Sequence, residues 1–240
     1  MSQIVKRGYM ANDEKEFSNI VVIEKLYKAG QDLYYLLNSG YSIKSASVFV
    51  GNHYLLSERQ RLAIIRSIST EKCILERKSK EIKEIIEGST VNIDGFNTII
   101  TLEVALSNST LLRGMDGTIR DLAGLRGSYR LIDKTNIAIK LIGEALEKSK
   151  VEKAVFYLDA PISNSGNLKT RILEILNEAN FKVEVENINN VDSTLEKLDY
   201  VITSDAIIMN RCKSWINLND KIIESNIYEY PYIDFTKIVK

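Results

Sequence analysis

Histidine, cysteine and proline are scarce in this chain, whose 240 residues include one histidine, two cysteines and two prolines. Cys73 and Cys212 lie far apart and neither belongs to a CxxC pair, so the sequence indicates neither a structural zinc site nor a disulfide framework. The histidine, His53, lies in the first third of the chain. Ser-His-Asp or Cys-His catalysis in the carboxy-terminal region is therefore excluded, because it needs an imidazole. Chemistry there must rest on carboxylates, amides, hydroxyls, lysine and arginine.

Long hydrophobic runs are lacking too. No apolar stretch approaches the roughly 18 residues that span a bilayer, and the start, Met1 to Glu16, is charged rather than signal-like. We therefore expect a cytoplasmic protein with no membrane partner. Basic and acidic residues both number 32, but the first 88 residues are slightly basic and the rest slightly acidic. This asymmetry weakly favours a polyanion contact in the first part and a metal ion in the second.

Two domains are predicted, with residues 1–88 forming a small all-α domain and residues 89–240 an α/β domain. Residues 1–88 show helical periodicity throughout, ending in a charged helix over 71–87. Residues 89–240 alternate apolar runs with helical patterns, which favours a parallel sheet covered on both faces. Strands are predicted at 91–94, 110–112, 154–158, 181–185, 200–203 and 232–235. Helices are predicted at 98–106, 133–148, 168–179 and 193–198, and again from 206.

One motif occurs three times in the second domain: an apolar strand that ends on an aspartate. The three residues are Asp94, Asp159 and Asp205. Because the strands of an open parallel sheet deliver their carboxyl ends to one edge, the three side chains are expected to converge. Converging carboxylates repel one another unless a cation lies between them, so the sequence predicts a Mg²⁺ or Mn²⁺ site. Taken singly, Asp159 also fits a turn and Asp205 a helix cap.

Polar side chains next to these motifs are further candidates. Asn97 and Ser204 are expected to orient ligands or substrate around the metal. Glu103 is the only charged residue between Asp94 and Arg113, in an otherwise apolar helix. A lone carboxylate there is costly unless it is paired or bound to a metal, and the alternative is an exposed helix position.

A segment rich in glycine and arginine, residues 111–130, has no counterpart elsewhere in the chain. It contains Arg113, Arg120, Arg126 and Arg130 among four glycines, together with Asp116 and Asp121. Glycine allows close backbone approach and guanidinium groups fit phosphate oxygens, so contact with a phosphate backbone is slightly favoured. The alternative is a structural loop in which Arg120 and Arg126 pair with the aspartates.

The helical domain contains a pattern typical of a helix-turn-helix. A helix over 43–50 ends near Gly51, and Ser57 to Gln60 has the form of a capping box that begins the next helix. Arg59, Arg61 and Arg66 would then lie on or near an exposed face and contact nucleic acid. Ordinary surface charges on a small helical bundle are the stronger alternative.

These residues carry a family resemblance. The three aspartate motifs resemble the acidic motifs of PIN-like nucleases, particularly the NYN branch, over roughly residues 89–212. The resemblance implies a PIN-like three-layer fold and metal-dependent ribonuclease activity, with a fourth acid in mid-domain for which Glu103, Asp116 and Asp121 are the candidates. The whole chain also resembles a prokaryotic family, domain of unknown function 434, through residues 51–61 and 113–130.

The leading hypothesis is therefore phosphodiester hydrolysis of RNA, in which the three strand-end aspartates hold one or two Mg²⁺ or Mn²⁺ ions. The predicted RNA contacts are Arg59, Arg61, Arg120, Arg126 and Arg130. A non-catalytic RNA- or partner-binding module on an inactive nuclease fold is one alternative. A Rossmann-like phosphatase is another, but it needs a second acid two residues after its nucleophile, and Phe96 occupies that position. Homodimer formation is left open.

Overall fold

A computed structural model describes residues 5–125, 127–227 and 229–238. An all-helical region covers residues 13–80 and precedes a five-stranded parallel sheet. The helices of the first region are α1 (Asp13–Phe17), α2 (Ile20–Asn38), α3 (Ile43–His53), α4 (Glu58–Ser67) and α5 (Glu71–Lys80). Within the described ranges, no helix combines the length and the apolar character needed to cross a membrane.

Local capping explains where the helices of the first region begin. The predicted capping box is confirmed: the Ser57 hydroxyl accepts from the backbone N–H of Gln60, whose side chain accepts from the backbone N–H of Ser57. Ser42 and Thr70 cap α3 and α5 in the same way through their hydroxyls. The last helix is shorter than predicted and ends at Lys80. The chain then turns toward the sheet, where the backbone N–H of Ile82 donates to the carbonyl of Trp215 at 2.8 Å.

The rest of the chain alternates strands and helices as expected. Its strands are β1 (Thr90–Asp94), β2 (Leu111–Arg113), β3 (Ile119–Asp121), β4 (Lys153–Asp159), β5 (Lys182–Ile188), β6 (Val201–Ile202), β7 (Trp215–Ile216) and β8 (Tyr232–Asp234). Its helices are α6 (Gly95–Leu106), α7 (Asp133–Lys148), α8 (Ser165–Ile175), α9 (Val191–Leu195), α10 (Ala206–Arg211), α11 (Leu218–Asn226) and a final 3-10 turn, Phe235–Ile238. Strands β3 and β7 were not predicted, because two or three residues are too short to show a periodicity.

The large sheet has the strand order β5-β4-β1-β6-β7, and all of its pairs are parallel. Ile93 and Phe156 pack on one face in a core with α6, α7, α8 and α11, whereas Tyr157 and Val201 pack on the other face with α9 and α10. The chain therefore forms three layers. From β1 it crosses first to β4 and β5 on one side and later to β6 and β7 on the other, so the strand order reverses between β1 and β6. Crevices that bind ligands form at such points, outside the carboxyl ends of the strands.

A small second sheet, of order β3-β2-β8, connects the helical region to the α/β part. Leu112 of β2, Ile233 of β8 and Phe235 belong to the same buried cluster as Leu26, Leu33 and other residues of α2 and α4. The carboxy-terminal segment therefore completes the core of the helical region, although more than 150 residues separate them in the sequence.

We expect Phe235→Ala to destabilise the whole chain. Phe235 is fully buried and packs edge-to-face on Tyr27 at 6.0 Å between ring centroids, so its removal leaves a cavity that should lower the free energy of unfolding by about 3–5 kcal/mol. Urea denaturation measures this loss. Tyr232→Ala, at a half-exposed position three residues away, is the matched control, and an equal loss in both variants would contradict the shared core.

Candidate functional site

The three aspartates predicted at strand ends meet at one edge of the sheet, where Asp94 ends β1, Asp159 ends β4 and Asp205 follows β6 by three residues as the cap of α10. Alternate residues of a strand point to opposite faces, and Asp94 lies two residues after Asn92 while Asp159 lies two after Tyr157. Both therefore share the face that carries α9 and α10. Asp94, Asp159 and Asp205 line one cleft of about 200 Å³, and two further aspartates, Asp121 and Asp192, line it with them. We call this site, defined by the five aspartates, the acidic cleft.

Asp94 is a buried acid of the cleft, with 8% of its surface exposed. It ends β1, and its Oδ2 accepts from the hydroxyl of Thr203, which follows β6, at 2.8 Å. The pKa of Asp94 is raised to about 7, chiefly by burial; the hydrogen bond from Thr203 opposes the rise, and the charges of Asp205 and Asp192 add to it. Asp94 is therefore a carboxyl group that water reaches poorly, with other carboxyl groups nearby.

Asp205 lines the acidic cleft and also caps α10, which is the alternative role that the sequence offered for it. Its Oδ1 caps α10 by accepting from the backbone N–H groups of Ile207 and Ile208 at 2.7 and 3.2 Å. Its own backbone N–H donates to the Thr203 hydroxyl at 3.0 Å. Thr203 thus links Asp94 to Asp205 and fixes their relative position.

Asp159 and Asp192 complete the cleft on its outer side. Burial raises the pKa of Asp159, and a hydrogen bond from the backbone of Val191 partly offsets the rise. Asp192 lies at the exposed rim, yet partial desolvation and the charges of Asp205 and Asp159 raise the pKa of its carboxyl group. Sequence reasoning missed Asp192 because it follows β5 by four residues and the predicted helix began one residue after it. Its position after a strand was the available signal.

Asn97 has the orientation needed to donate to a ligand. Its Oδ1 accepts from the backbone N–H and the hydroxyl of Ser204 at 2.9 and 3.0 Å. A backbone N–H is always a donor, so the oxygen must face Ser204 and the Nδ2 group must point elsewhere. Asn97 lines the acidic cleft, whereas Ser204 is buried behind it.

Glu103 lies away from the acidic cleft, in a buried polar cluster of its own. It accepts from the guanidinium of Arg7 at 2.7 Å, from the hydroxyl of Tyr129 at 2.6 Å and from the hydroxyl of Thr135. Burial raises the pKa of Glu103, and the charge of Arg7 partly offsets that rise. The interpretation of Glu103 as an exposed helix residue is wrong. Its pairing with Arg7 and its hydrogen bonds offset the free-energy cost of burying the carboxylate, so no metal is needed for that.

Asp116 is also no part of the cleft, because two arginines enclose it. Its Oδ2 lies 2.5 Å from the guanidinium of Arg77 and 2.6 Å from that of Arg120, and all three side chains are buried. Arg120 donates in addition to the carbonyls of Ser204 and Arg66 at 2.9 and 2.8 Å. The structure therefore does not favour Arg120 as a phosphate contact. The alternative, a salt-bridged structural loop, describes this part of the segment.

Asp121 does line the acidic cleft, but its oxygens are already engaged. They accept from the hydroxyl of Thr101 and the backbone N–H of Ala123, both at 2.8 Å. Burial raises the pKa of Asp121, and the charge of Arg66 partly offsets the rise. Among the three predicted candidates for a fourth acid, only Asp121 lines the cleft. Asp192, which was not a candidate, is more exposed there than Asp121.

The predicted RNA contacts of the helical region are engaged within the fold. Arg59 pairs with Asp13 and donates to the carbonyls of Gly8 and Leu122, while Arg61 donates to the carbonyl of Leu56 and the side chain of Asn52 at 3.0 Å each. These bonds within the fold do not favour the two arginines as RNA contacts.

The remaining basic candidates differ in position. Arg66 lines the acidic cleft and donates to the carbonyl of Asp121 at 2.6 Å. Arg130 is exposed, with its carbonyl accepting from Arg7. Arg126 lies outside the described residues.

The donor set of the acidic cleft is all oxygen, which suits a hard divalent cation. With the side chains as they stand, no group of three or more histidine, cysteine, aspartate or glutamate residues in the described ranges is close enough to hold an ion directly. Mg²⁺ commonly binds through one or two carboxylates and keeps several waters. The cleft fits such a hydrated ion rather than a closed cage of protein ligands.

Comparisons with known proteins agree with a two-part chain. A family model described as "Domain of unknown function (DUF5616)" matches residues 83–221, more than half of the chain. The chain belongs to the DUF5616 family. A second model, "Protein of unknown function (DUF434)", matches residues 25–80, which confirms that resemblance for the helical region. Residues 113–130, the other segment that carried it, fall within the DUF5616 match.

All five acids of the cleft lie in the DUF5616 part of the chain. A Methanocaldococcus jannaschii protein named "Uncharacterized protein MJ0935" is 38% identical over 184 residues, which cover 76% of this chain and 88% of the relative. No solved structure matches. The family matches do not include a PIN-like or NYN nuclease, so that resemblance stays a prediction.

The buried cluster around Asp116 should make this DUF5616 protein sensitive to acid. Although burial by itself raises the pKa of Asp116, the charges of Arg120 and Arg77 lower it to about 2. When a carboxyl group has a lower pKa in the folded state than in the unfolded state, its ionised form stabilises the fold. This stabilisation is complete above the pKa of the unfolded state and is lost as the pH falls through the pKa of the folded state. We therefore expect about 2 kcal/mol of stability to be lost between about pH 4 and pH 2.

Asp116→Asn tests this assignment. It leaves two buried guanidinium groups without a counter-charge, so the free energy of unfolding near pH 7 should fall by about 3–5 kcal/mol, and the acid-dependent loss should shrink. Urea denaturation at several pH values measures both effects. Asp199→Asn removes an exposed carboxylate that pairs with Lys213 at 3.4 Å and should change stability by less than about 1 kcal/mol. Similar losses in the two variants would contradict the buried pairing.

Proposed function

We propose that the protein is a metal-dependent ribonuclease of the PIN-like, NYN type that hydrolyses phosphodiester bonds of RNA. The observation that supports this most is the acidic cleft itself: aspartates from the ends of β1 and β4 and from the start of α10 line one opening where the strand order reverses. Rossmann-like sheets bind ligands at that position. Carboxylates gathered there without a paired cation create a site for a divalent one.

In this proposal, Asp94, Asp159 and Asp205 hold Mg²⁺ or Mn²⁺, with Asp192 as the fourth acid. The bound ion supplies a water of lowered pKa and shields the charge of the phosphate. Thr203 keeps Asp94 and Asp205 in register through its hydroxyl. Asn97, with its oxygen fixed by Ser204, donates from Nδ2 to a phosphate oxygen or to a metal-bound water.

Arg66 provides the cationic wall of the site. It is the one arginine that lines the acidic cleft among the residues that the structure describes, and it belongs to the helical region. Arg120 acts behind it as a positioning residue, because one guanidinium holds the carbonyls of Arg66 and Ser204 together. The helical region thus contributes a phosphate contact to the site of the α/β part.

The charge of the cleft weighs against the rival functions. A module that binds RNA without a metal would present phosphates to a cluster of carboxylates, which repel them. A Rossmann-like phosphatase needs an acid two residues after its nucleophile, and position 96 holds a buried phenylalanine. Metal-assisted phosphodiester hydrolysis uses the arrangement as it stands.

Cleavage of labelled single-stranded RNA in the presence of Mn²⁺ tests the proposed activity. Asp94→Asn should lower the rate by more than the roughly 10–100-fold that loss of a partner of a metal ligand costs. Asp199→Asn, which alters an exposed aspartate at the other end of β6, is the matched control and should cleave normally. Cleavage that survives Asp94→Asn would refute the site. RNA binding that ignores EDTA, without turnover, would favour the non-catalytic module.

Thermal unfolding with and without Mn²⁺ tests the metal site independently of activity. Without metal, Asp94→Asn should raise Tm, because it removes a buried charge from a cluster of like charges while the Thr203 hydroxyl can still donate to the amide oxygen. With Mn²⁺, the wild-type protein should gain about 2.7 kcal/mol at a metal concentration of 100 Kd, and the variant should gain much less. A variant that loses stability without metal, or gains as much from Mn²⁺ as the wild type, would contradict the site.

A further inference from the structure

A second cavity adjoins the acidic cleft at the junction of the two parts of the chain. It has a volume of about 510 Å³ and shares Arg66, Asn97, Asp121 and Asp205 with the cleft. We call it the junction cavity. Its remaining walls come from the helical region on one side and from α10 on the other. A ligand that reaches from one opening to the other therefore contacts both parts of the chain.

The wall of the junction cavity is largely apolar. Leu37, Ile43 and Ile65 line it from α2, α3 and α4, and Ile207 lines it from α10. Ile43, Ile65 and Ile207 are all exposed large hydrophobic residues, with 40, 38 and 54% of their surface accessible. Exposed apolar side chains that converge from three separate helices mark a binding surface more often than chance exposure does.

Hydrogen-bond donors accompany this apolar wall. Asn210 lines the cavity, and its Oδ1 accepts from the guanidinium of Arg77 at 2.7 Å. Because arginine can only donate, this bond fixes the amide with its oxygen toward Arg77 and its Nδ2 group turned away. Asn97 is fixed in the same sense by Ser204. Two side-chain amides on the wall therefore present donors next to an apolar surface.

We propose that the junction cavity binds the nucleobase of the RNA nucleotide whose phosphate lies at the acidic cleft. This inference rests on the proposed function and adds a substrate class to it: RNA in which that nucleotide is unpaired. A base enters such a pocket only when it leaves the helical stack, and it is then held between apolar side chains and hydrogen-bond donors. The volume falls within the roughly 300–1,000 Å³ of small-molecule sites.

Cys73 offers a reporter that does not depend on catalysis. It lines the junction cavity and is partly exposed. The other cysteine of the chain, Cys212, is 1% exposed, and burial raises the pKa of its thiol to about 11. Maleimide should therefore modify Cys73 selectively, because alkylation needs an accessible thiolate.

The test measures the rate of Cys73 alkylation by mass spectrometry of the full-length protein in Mn²⁺, with AMP as the probe. At about ten times its Kd, AMP should slow the reaction roughly tenfold. Ribose 5-phosphate carries the same phosphate without a base and should protect much less at the same concentration. Equal protection by the two compounds, or none by AMP, would overturn the base site.

Matched variants locate the effect. Ile207→Ser should lose most of the protection by AMP, whereas Ile137→Ser, at a similarly exposed isoleucine of α7 (47%) remote from the cavity lining, should keep it. Equal behaviour of the two variants would overturn the assignment. Protection that persists while the purified protein fails to cleave RNA would refute the proposed hydrolysis and leave the base site standing. Cleavage of RNA without protection of Cys73 by AMP would refute the base site and leave the proposed hydrolysis standing.

Discussion

Repulsion among carboxylates gathered at one sheet edge is the constraint around which the structure is built. Asp94 is held there by the pairing of β1 with β4 and β6, and Asp205 by its capping of α10. The side chain of Asp94 also accepts a hydrogen bond from Thr203, and that of Asp205 could move away only by uncapping the helix. The fold opposes the repulsion with the two apolar cores on either face of the sheet. A divalent cation in the proposed site would change this unfavourable term into a favourable one.

The other buried acids show that this crowding is selective. Glu103 is paired with Arg7, and Asp116 with Arg77 and Arg120, so the chain supplies a guanidinium to each buried carboxylate that serves only the fold. Unpaired buried charge is costly, and paired charge much less so. Asp94 is buried too, but the charges that shift its pKa are those of two further aspartates. Perturbed carboxylates of that kind cluster at functional sites, which is why the cleft rather than either ion-pair cluster supports the proposed function.

A feature could be predicted from the sequence when the residues that determine it obey a local rule, and not when they are far apart in the chain. The meeting of Asp94, Asp159 and Asp205 was accessible because parallel strands deliver their carboxyl ends to one edge, and Asp205 follows its strand by only three residues. The roles of Arg59 and Glu103 were not, since each depends on a partner distant in sequence: Asp13 lies 46 residues from Arg59, and Arg7 lies 96 residues from Glu103. The pairing of Arg120 with Asp116, four residues away, was one of the two alternatives, but its bond to Ser204, 84 residues away, was not foreseen. Charge composition cannot distinguish a guanidinium that faces RNA from one that holds two carbonyls. Strand β7 was not predicted for a different reason: its two residues form a strand because they pair with β6, and two residues show no sequence pattern of their own.

The junction between the helical and α/β parts explains why the two belong to one chain. Arg120 donates to the last turn of α4 and to the residue after Thr203, so the end of the helical region and the rim of the acidic cleft are fixed by the same side chain. Arg77 extends this connection from α5 to Asp116 and Asn210. A guanidinium that makes several hydrogen bonds at once loses little conformational entropy for each of them. Buried hydrogen bonds, rather than a flexible linker, therefore set the relative position of Arg66, Asn97 and Asp205. A site assembled from two parts of a chain needs such bonds to keep its geometry.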